Sequence, residues 1–354
     1  MTARAPRIVL FTAPGQVELA SCEEMPLVPE SVRVRTWYSG ISAGTELSAY
    51  RGSNPYLTST WDPDRRLFTP GEPTFGYPVS GWGYSEVGEV VEVAGDVTGI
   101  GVGDIVFGIW GHRSDAVVPA VAVLGHQLEA SDALVGCFAR VGAIALNAVL
   151  AADTHLGDRI AVFGQGVIGL LATRLGVLSG AEIVAVDGFP SRLERARALG
   201  AAATIDAFTD GGAGAKVREW SGGAGVDAAI EISGNIRALH EATRSVVVDG
   251  TVVAAGFYQG AADHLRLGEE FHHNRVRILA SQIGGTPLAL GPRWDRERLV
   301  SVFMEQALAG AVDVRSLVTD VVDADQVATA FERLDSGDPD ILQVILRFDA
   351  APAE

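Results

Sequence analysis

The sequence has few residues that can crosslink its chain. Only two cysteines, Cys22 and Cys137, occur among the 354 residues, and they lie far apart. Two thiols cannot build the disulfide framework of a small secreted domain, and such low cysteine usage is typical of a reducing compartment. We therefore expect a cytoplasmic protein that is held together by its apolar core.

Long hydrophobic runs are missing as well. No apolar stretch approaches the roughly 20 residues that a bilayer-spanning helix needs. At the start, Arg4 and Arg7 precede an apolar run from Ile8 to Phe11. This run is too short for the core of a signal peptide and predicts a first strand instead. The sequence therefore predicts no membrane partner.

Positive charge is scarce. The 27 Lys and Arg residues stand against 44 Asp and Glu, which gives a formal net charge of −17. A field of this sign repels phosphate backbones and anionic lipid surfaces, and it also keeps a protein soluble. Nucleic acid is therefore not expected as a partner, and a small-molecule substrate is.

The chain is long and apolar enough for two domains, with 354 residues of which 48% are hydrophobic. Its first part, roughly 125 residues, predicts short strands separated by turns rich in Gly, Pro and Asp. Among them are Val32–Tyr38, Val87–Val93 and Ile105–Ile109. A proline-rich loop runs from Asn54 to Pro78, and a loop of that length in a compact domain is usually functional.

The pattern changes after Ser131. A long helix is predicted over Ala133–Ala152, and strands then alternate with helices. The predicted strands are Arg159–Phe163, Ile183–Asp187, Ala203–Ile205, Asp227–Ile232, Thr251–Ala255 and Val276–Ser281, and the predicted helices between them include Val167–Leu178, Ser191–Leu199, one ending near Trp220, and Ile236–Val246. Strands joined by helical crossovers predict an α/β fold with a parallel, doubly wound sheet.

The last part of the chain adds helices at Arg296–Leu308 and Asp323–Leu334 and a strand at Leu342–Phe348. About 70 residues cannot form a core of their own, so we expect them to pack back on the first domain. The predicted division is therefore 1–132 for the first part of a substrate-bearing domain, 133–283 for a nucleotide-binding domain, and 284–354 for the C-terminal return.

A glycine motif, Gly164-Gln165-Gly166-Val167-Ile168-Gly169, follows a predicted strand and opens a predicted helix. In such a motif Gly164 allows the tight turn, Gly166 lets the backbone approach a pyrophosphate, and Gly169 allows close packing of helix on strand. The phosphates bind at the positive N-terminus of the helix. The strand, the motif and the helix together predict a dinucleotide site.

An acidic residue, Asp187, ends the next predicted strand. A carboxylate at this place accepts hydrogen bonds from the ribose hydroxyls of NAD and repels the 2′-phosphate of NADP. Arg192, five residues further on, would pair with a 2′-phosphate and is the argument for NADP. We expect NAD(H) to be preferred over NADP(H).

Several blocks along almost the whole chain resemble the medium-chain dehydrogenase/reductase superfamily. Besides the glycine motif they are Gly40-Ile41-Ser42-Ala43-Gly44-Thr45-Glu46, Val87 to Val93, Gly103-Asp104-Ile105-Val106, Leu156-Gly157-Asp158, Arg195 to Ala201 and Gly225-Val226-Asp227. The resemblance implies a Rossmann domain inserted in a mostly-β, partly open, GroES-like barrel that carries the catalytic residues. It also implies an NAD(P)-dependent oxidoreductase.

Three stretches resemble more narrowly the branch that contains hydroxyethyl-bacteriochlorophyllide dehydrogenase. They are Ala255-Gly256-Phe257-Tyr258-Gln259, Phe271 to Arg275, and Ser42 to Gly52. Nothing in them argues for a pigment as substrate.

The chain departs from the zinc pattern of the superfamily's alcohol dehydrogenases. Ser42 or Ala43 stands at the first ligand position, Tyr84 at the histidine position, and Cys137 at the third position. One thiolate cannot form a site that needs three protein ligands. Because a structural zinc loop uses four cysteines, it is excluded too. We therefore predict an enzyme with no metal.

Without zinc, hydride transfer needs another proton donor or acceptor. Tyr84 is the first candidate, and packing in the barrel is its alternative. Glu46 lies at the family's acidic position, Ser42 and Thr45 are candidates for binding substrate or ribose, and His112 is a candidate acid or base. Hydrogen bonding within a turn is the alternative for Ser42 and Thr45, and a surface-loop position is the alternative for His112.

By the same resemblance, loops at the ends of the fourth and fifth strands line the nicotinamide half of the cofactor. They contain Ser233 and Gly234, and Gly256 and Phe257. The carboxyl ends of parallel strands are where ligands bind in such sheets.

The sequence leaves three functions open. The first is a zinc-independent dehydrogenase of secondary alcohols or ketones that uses NAD(H). The second is an alkene or quinone reductase of the same superfamily, for which Asp187 is an unfavourable residue if NADPH is the reductant. The third is a dinucleotide-binding protein that has lost catalysis.

Members of the superfamily commonly dimerise through the edge strand of the Rossmann sheet, so we expect a homodimer through Val276–Ser281.

Overall fold

The computed structural model describes residues 5–352, so Arg4 lies outside the described part. The strands are β1 (Arg7–Ala13), β2 (Gln16–Ser21), β3 (Ser31–Gly40), β4 (Thr60–Asp62), β5 (Leu67–Thr69), β6 (Val79–Ser80), β7 (Glu86–Val93), β8 (Ile105–Gly108), β9 (Asp115–Pro119), β10 (Gln127–Leu128), β11 (Arg159–Phe163), β12 (Glu182–Asp187), β13 (Ala203–Asp206), β14 (Val226–Glu231), β15 (Val246–Ala254), β16 (Arg277–Ala280), β17 (Val318–Asp323) and β18 (Gln343–Arg347). The α-helices are α1 (Ala43–Tyr50), α2 (Ala133–Gly136), α3 (Ala139–Ala151), α4 (Val167–Leu178), α5 (Pro190–Ala198), α6 (Ala213–Trp220), α7 (Ile236–Ser245), α8 (Arg296–Leu308) and α9 (Val327–Asp335).

Shorter helical turns complete the secondary structure. Those of 3₁₀ type are Pro55–Leu57, Ala120–Ala122, Ala130–Asp132, Leu288–Arg293, Arg315–Leu317 and Ala324–Gln326. Residues Leu267–Phe271 form a π-helical turn.

The chain folds into two compact units. The first, here called the catalytic unit, comprises the residues up to Arg140 and those from Val314 onward. The second, the cofactor unit, comprises Val141–Asp313. The cofactor unit is thus inserted in the chain of the catalytic unit, as the resemblance implied.

The cofactor unit contains a six-stranded sheet in the order β13-β12-β11-β14-β15-β16. All neighbouring pairs are parallel, and β11 pairs with β12 and β14 at the centre. The strands are parallel because each is followed by a crossover segment, mostly helical, that returns the chain to the same end of the sheet. The predicted doubly wound Rossmann sheet is therefore confirmed.

Apolar side chains on the strands and helices form the core of this sheet. Phe163, Val184 and Ala229 are almost fully buried and pack with Leu239 of α7 and Val217 of α6. Burial of one such large aliphatic or aromatic side chain contributes about 1.5–3 kcal/mol. The core fixes the carboxyl ends of β11, β12 and β14 at one edge of the sheet, where a nucleotide binds in this architecture.

The catalytic unit is mostly β-structure. Its seven-stranded sheet has the order β10-β8-β7-β3-β18-β17, with β9 also paired to β3, and a three-stranded sheet has the order β2-β1-β6. β3 pairs antiparallel with its neighbours β7, β9 and β18. These neighbours come from distant parts of the chain. This mixed architecture agrees with the expected partly open barrel.

The C-terminal return packs on the start of the chain, as predicted for the residues after 314. Phe331 of α9 meets Phe11 of β1 edge to face, with ring centroids 5.1 Å apart, and both rings are fully buried. β18 pairs with β3. The return therefore completes both the core and the large sheet of the catalytic unit.

Two predictions about boundaries are wrong. The helix expected over Ala133–Ala152 is broken, because α2 ends at Gly136 and the Phe138 amide bonds back to the Val135 carbonyl in a tight turn. The segment 284–313 belongs to the cofactor unit and not to the return. The reason is that Phe303 of α8 lies directly over Gly142, where any Cβ would overlap its ring.

The proline-rich loop from 54 to 78 is more ordered than the sequence indicated. It contains an antiparallel hairpin of β4 and β5, which pairs Trp61 with Phe68.

Within the described residues, no single helix is long and apolar enough to span a membrane, and only the bent pair Ala130–Gly136 and Ala139–Ala151 reaches that length together.

Candidate active site

The glycine motif forms a tight turn between β11 and α4. Gly164 has a φ of +94°, and its amide donates to the Val186 carbonyl at 2.8 Å. A Cβ on Gly169 would overlap the Gly164 carbonyl oxygen, so only glycine permits this contact. Gly166 precedes α4 with open space around the position of a Cβ, and Val167 and Ile168 are partly exposed at the helix start.

Gln165 differs from its neighbours in the motif. Its side chain is fully buried, donates to the Val162 carbonyl at 2.9 Å and accepts a hydrogen bond from Thr173 at 3.0 Å. It therefore holds the turn from inside, and its side chain is not available to a cofactor. Any part of Gln165 in cofactor binding therefore falls to its backbone, whose amide donates to Asp187 at 2.6 Å.

Asp187 lies at the end of β12, as predicted, and is 8% exposed. Its carboxylate accepts the Gln165 amide at 2.6 Å and the Phe189 amide at 2.9 Å, one on each oxygen. The Arg192 guanidinium lies 4.9 Å from the centre of the Phe189 ring. Asp187 therefore joins the glycine turn to the start of α5, and its remaining lone pairs are those that ribose hydroxyls bind in this fold.

The two loops at the ends of β14 and β15 contact each other. A Cβ on Gly234 would lie 2.7 Å from the Phe257 carbonyl oxygen, and one on Gly256 would overlap the Gly234 amide. Ser233 and Phe257 are exposed on these loops. The structure thus brings Ser233, Gly234, Gly256 and Phe257 together at the carboxyl edge of the sheet, beside the strand that carries the glycine motif.

The hydroxyl of Tyr84 is the centre of a polar group in the catalytic unit. It contacts the Ser42 hydroxyl and donates to the Thr45 hydroxyl at 3.3 Å. Ser42 caps the start of α1, and Thr45 lies in its first turn. The helix was not predicted, but it is the element that directs both hydroxyls at Tyr84, so three of the predicted catalytic residues lie together.

A layer of charged groups lies beneath these hydroxyls. His112 Nε2 and Glu46 Oε2 are 2.6 Å apart, and the other oxygen of Glu46 accepts the Ser42 amide at 2.9 Å. On its far side, His112 Nδ1 lies 2.6 Å from the Ser39 hydroxyl, which donates to Glu86 at 3.0 Å. Glu46, His112, Ser39 and Glu86 are all fully buried.

Burial and charge determine the protonation of this layer. Burial lowers the pKa of His112, but contact with Glu46 and the charge of Glu86 outweigh this and raise that pKa above its ordinary value. Burial raises the pKa of Glu86, although His112 and several hydrogen bonds oppose the shift. Contact with Glu46 therefore favours the cationic form of His112, and burial favours the protonated form of Glu86.

Tyr84 is a neutral phenol in this setting. Burial raises its pKa above the ordinary value, and its hydrogen bonds to Ser42 and Thr45 offset only part of that effect. A phenol with a raised pKa donates a hydrogen bond and does not act as a phenolate base at neutral pH.

His112 is not on the surface, so the surface-loop alternative is wrong. Its imidazole is fully buried and is held on both nitrogens, by Glu46 and by Ser39. Ser39 and Glu86 were not predicted from the sequence. Neither gave a signal, because both lie in or beside strands and reach His112 from 73 and 26 positions away.

A catalytic zinc of the type found in the superfamily does not fit these residues. The three ligand positions that the resemblance indicates hold Ser42 or Ala43, Tyr84 and Cys137, whereas zinc sites use thiolate, imidazole or carboxylate. Burial raises the pKa of the Cys137 thiol, which favours its neutral form. Within residues 5–352, the group of His, Cys, Asp and Glu side chains that is close enough for a shared ion is His240, Glu269 and Glu270, which lie in the cofactor unit.

The sequence and the fold both have relatives. The model of the zinc-binding dehydrogenase family matches residues 167–294. D-guloside 3-dehydrogenase of Escherichia coli (strain K12) is 29% identical over 325 residues, which are 89% of this chain and 91% of the relative. (R,R)-butanediol dehydrogenase of Bacillus subtilis (strain 168) is 28% identical over 296 residues, which are 76% and 80% of the two chains.

Solved structures share the fold. An oxidoreductase/dehydrogenase of unknown specificity from Escherichia coli superimposes with a TM-score of 0.78 at 21% identity, over 98% of this chain and 100% of that one. The 2R,3R-butanediol dehydrogenase from Bacillus subtilis gives 0.76 at 23% identity, over 97% and 99%.

The glycine turn, the acid at the end of β12 and a separate unit with a buried acid–base cluster, together with relatives that are dehydrogenases, mark the chain as an NAD(P)-dependent oxidoreductase. In sequence and fold the chain is similar to zinc-binding-type medium-chain dehydrogenases/reductases.

Proposed function

We propose that this protein is a zinc-independent dehydrogenase that interconverts a secondary alcohol and a ketone with NAD(H). The observation that carries the proposal is the Tyr84 hydroxyl, which is held by Ser42 and Thr45. By resemblance, Tyr84 stands at the position of a zinc-binding histidine. Zinc in related enzymes polarises the carbonyl oxygen, and here a hydrogen-bond donor takes that role.

When bound at the glycine turn, Asp187 and the loops of Ser233 and Phe257, NAD(H) would supply the hydride for reduction and accept it in oxidation. Tyr84 donates its phenolic proton to the oxygen that develops negative charge, and the C=O double bond becomes a C–O single bond with an O–H. Ser42 or Thr45 returns a proton to Tyr84 from solvent. In oxidation the protons move the opposite way: Tyr84 accepts the alcohol proton as its own proton passes to Ser42 or Thr45 and on to solvent.

The buried layer orients this group without touching the substrate. Glu46 holds the Ser42 amide, and His112 holds Glu46 through a charge-assisted contact. Because the position of Ser42 sets the direction in which the Tyr84 hydroxyl points, the His112–Glu46 pair acts on catalysis through geometry.

The cofactor unit favours NAD(H). Asp187 is positioned by two backbone amides and presents a carboxylate where the 2′-position of the adenosine ribose binds in this fold. A phosphate there would meet like charge. Arg192, the argument for NADP, stacks on Phe189 in this structure.

Two relatives are named as dehydrogenases of a D-guloside and of (R,R)-butanediol. The catalytic unit carries a row of contacting aromatic rings, in which Trp61 and Phe68 meet Tyr56, Tyr56 stacks on Phe75, and Phe75 meets Trp82. The row ends two residues before Tyr84. Aromatic faces suit the apolar face of a sugar ring, so we propose a cyclic polyol or glycoside as the substrate class.

The test is a spectrophotometric assay of the purified protein with a panel of glycosides, polyols, ketones and activated alkenes, each with NAD(H) and NADP(H). We expect turnover of a secondary alcohol or its ketone with NAD(H). Turnover of alkenes or quinones with NADPH, and none of alcohols, would replace this proposal by the reductase alternative.

We also propose that the protein is a homodimer through β16, the outer strand of the cofactor sheet. Three of its four residues are exposed, as expected for an edge that has no further strand beside it among residues 5–352. Sedimentation equilibrium should give twice the chain mass, and a monomer at micromolar concentration would contradict the proposal.

A further inference from the structure

One buried carboxylate in the cofactor unit has no part in the mechanism described so far. Glu231 is the last residue of β14 and is fully buried at the carboxyl edge of the parallel sheet. A buried carboxylate is costly unless several donors satisfy it, so its partners show what it is for.

Those partners come from both loops at this edge. From the loop after β14, the Ser233 amide donates to Glu231 at 2.9 Å, the Ser233 hydroxyl also contacts it, and the Gly234 amide donates at 3.2 Å. From the loop after β15, the Tyr258 hydroxyl donates to the same carboxylate. Each carboxylate oxygen thus receives two donors.

The backbone of Glu231 joins the loops a second time. Its carbonyl accepts the Ala255 amide at 2.8 Å and the Gly256 amide at 3.0 Å. The loops touch without intervening side chains, because both contact positions are glycines: a Cβ on Gly256 would lie 3.0 Å from a Glu231 oxygen and would overlap the Gly234 amide. The carboxylate is therefore the joint between the two loops.

We propose that Glu231, with Tyr258, is a positioning residue for the nicotinamide half of the cofactor. It fixes the loop of Ser233 and Gly234 against the loop of Gly256 and Phe257, and so presets the surface that receives this half. The inference rests on the cofactor assignment of the proposed function, but not on its substrate or its proton donor.

The two halves of the cofactor should therefore respond differently to a change at Glu231. The adenosine half is served by Asp187 and the glycine turn, which have their own hydrogen bonds. Loss of the joint should weaken the binding of NADH, whereas AMP, which lacks the nicotinamide half, should bind as before. A purely structural role would weaken the binding of both ligands or of neither.

The experiment titrates wild type, E231Q and Y258F with NADH and with AMP, by quenching of protein fluorescence and by calorimetry. In E231Q an amide nitrogen, which is itself a donor, replaces one carboxylate oxygen and faces the donors of the two loops. We therefore expect the Kd for NADH to rise about tenfold or more. Y258F removes one donor and should raise that Kd about threefold. The Kd for AMP should stay within about twofold in both variants.

Glu305→Gln is the matched control, because it makes the same chemical change at an exposed position of α8 in the same unit. It should leave both Kd values unchanged. If E231Q does not fold, Y258F decides by the same split between NADH and AMP.

Three results would overturn the inference. NADH binding of wild-type strength in E231Q and Y258F would remove the positioning role, and so would equal weakening of NADH and AMP. Wild-type protein that bound neither ligand would overturn the proposed function as well as this inference. The last outcome is distinct from the first two, in which wild-type binding is intact.

Discussion

One unit builds its site mainly from backbone atoms and the other mainly from side chains. The nucleotide site of the cofactor unit uses backbone, with glycines that permit close approach and one carboxylate, Asp187, that is bound by amides. The site of the catalytic unit uses side chains, with a phenol above a buried layer of His112, Glu46 and Glu86. The first should therefore be sensitive to shape and the second to charge.

The largest effect is expected from shape in the cofactor unit. G169A should abolish NADH binding and lower the free energy of unfolding by about 3 kcal/mol or more, because the new Cβ overlaps the Gly164 carbonyl. G166A is the matched control, since a Cβ there meets open space and φ is −71°. It should keep the thermal midpoint of wild type but weaken NADH, whose pyrophosphate needs that space. Equal thermal midpoints for both variants would contradict this account of the turn.

Charge should have its strongest effect in the catalytic unit. H112Q leaves the Glu46 carboxylate buried without its cation, which should cost about 3–5 kcal/mol of unfolding free energy. NADH binding should be unchanged in the folded variant. H155Q, at a histidine whose side chain is 68% exposed, is the control and should change stability by less than about 0.5 kcal/mol. Denaturant titration measures the free energy of unfolding of both variants. An H112Q variant as stable as wild type would show that His112 and Glu46 do not stabilise each other as described.

Removal of the proposed proton donor should separate catalysis from binding. Y84F deletes the hydroxyl that contacts Ser42 and Thr45, and we expect kcat to fall about 10²- to 10⁴-fold. The Kd for NADH should stay as in wild type, since the change lies in the other unit. Steady-state kinetics with fluorescence titration gives both numbers. A kcat near the wild-type value would assign proton transfer to another group.

Stability should also depend on pH through the buried layer. The folded-state pKa of His112 is raised, so its contribution is complete below the unfolded value, about 6.5, and is lost as pH rises through the folded value. The pKa of Glu86 is raised too, so its contribution to stability also falls as the pH rises above about 4.5. The wild type should therefore lose more stability than H112Q between pH 6 and 9. Parallel thermal midpoints across that range would exclude a cationic His112.

The smallest change concerns the choice between cofactors. D187S removes the charge that opposes a 2′-phosphate, so the ratio of NADPH to NADH affinity should rise about tenfold, or about 1.4 kcal/mol. The exposed Asp153 offers a control in D153S, which should leave the ratio unchanged. Competitive titration of the two cofactors measures it, and an unaltered ratio in D187S would remove the reason for proposing NAD(H).

The difference between the units also explains what the sequence could predict. β11, α4 and α8 have the predicted bounds, and Gly164, Gly169 and Asp187 lie where the motif indicated, because strand, turn and helix follow one another in the chain. The helix expected over Ala133–Ala152 shows the limit, since its composition is uniform across the break after Gly136.

The catalytic cluster was predicted only in part. Tyr84, Ser42, Thr45 and Glu46 were identified because they stand at family positions. Glu86 and Ser39 were not, because their contacts with each other and with His112 join β3, β7 and a loop that are 47 and 73 positions apart. Such contacts depend on strand pairing, and no local pattern specifies them.

The claim that Tyr84 replaces zinc is tested most directly by one preparation in two measurements. Wild-type protein is dialysed against a chelator, its zinc is measured by mass spectrometry, and its kcat with NAD(H) and an accepted substrate is compared before and after. We expect substoichiometric zinc and an unchanged kcat, which Y84F then lowers at least a hundredfold. Loss of activity on chelation, with recovery on addition of zinc, would contradict it.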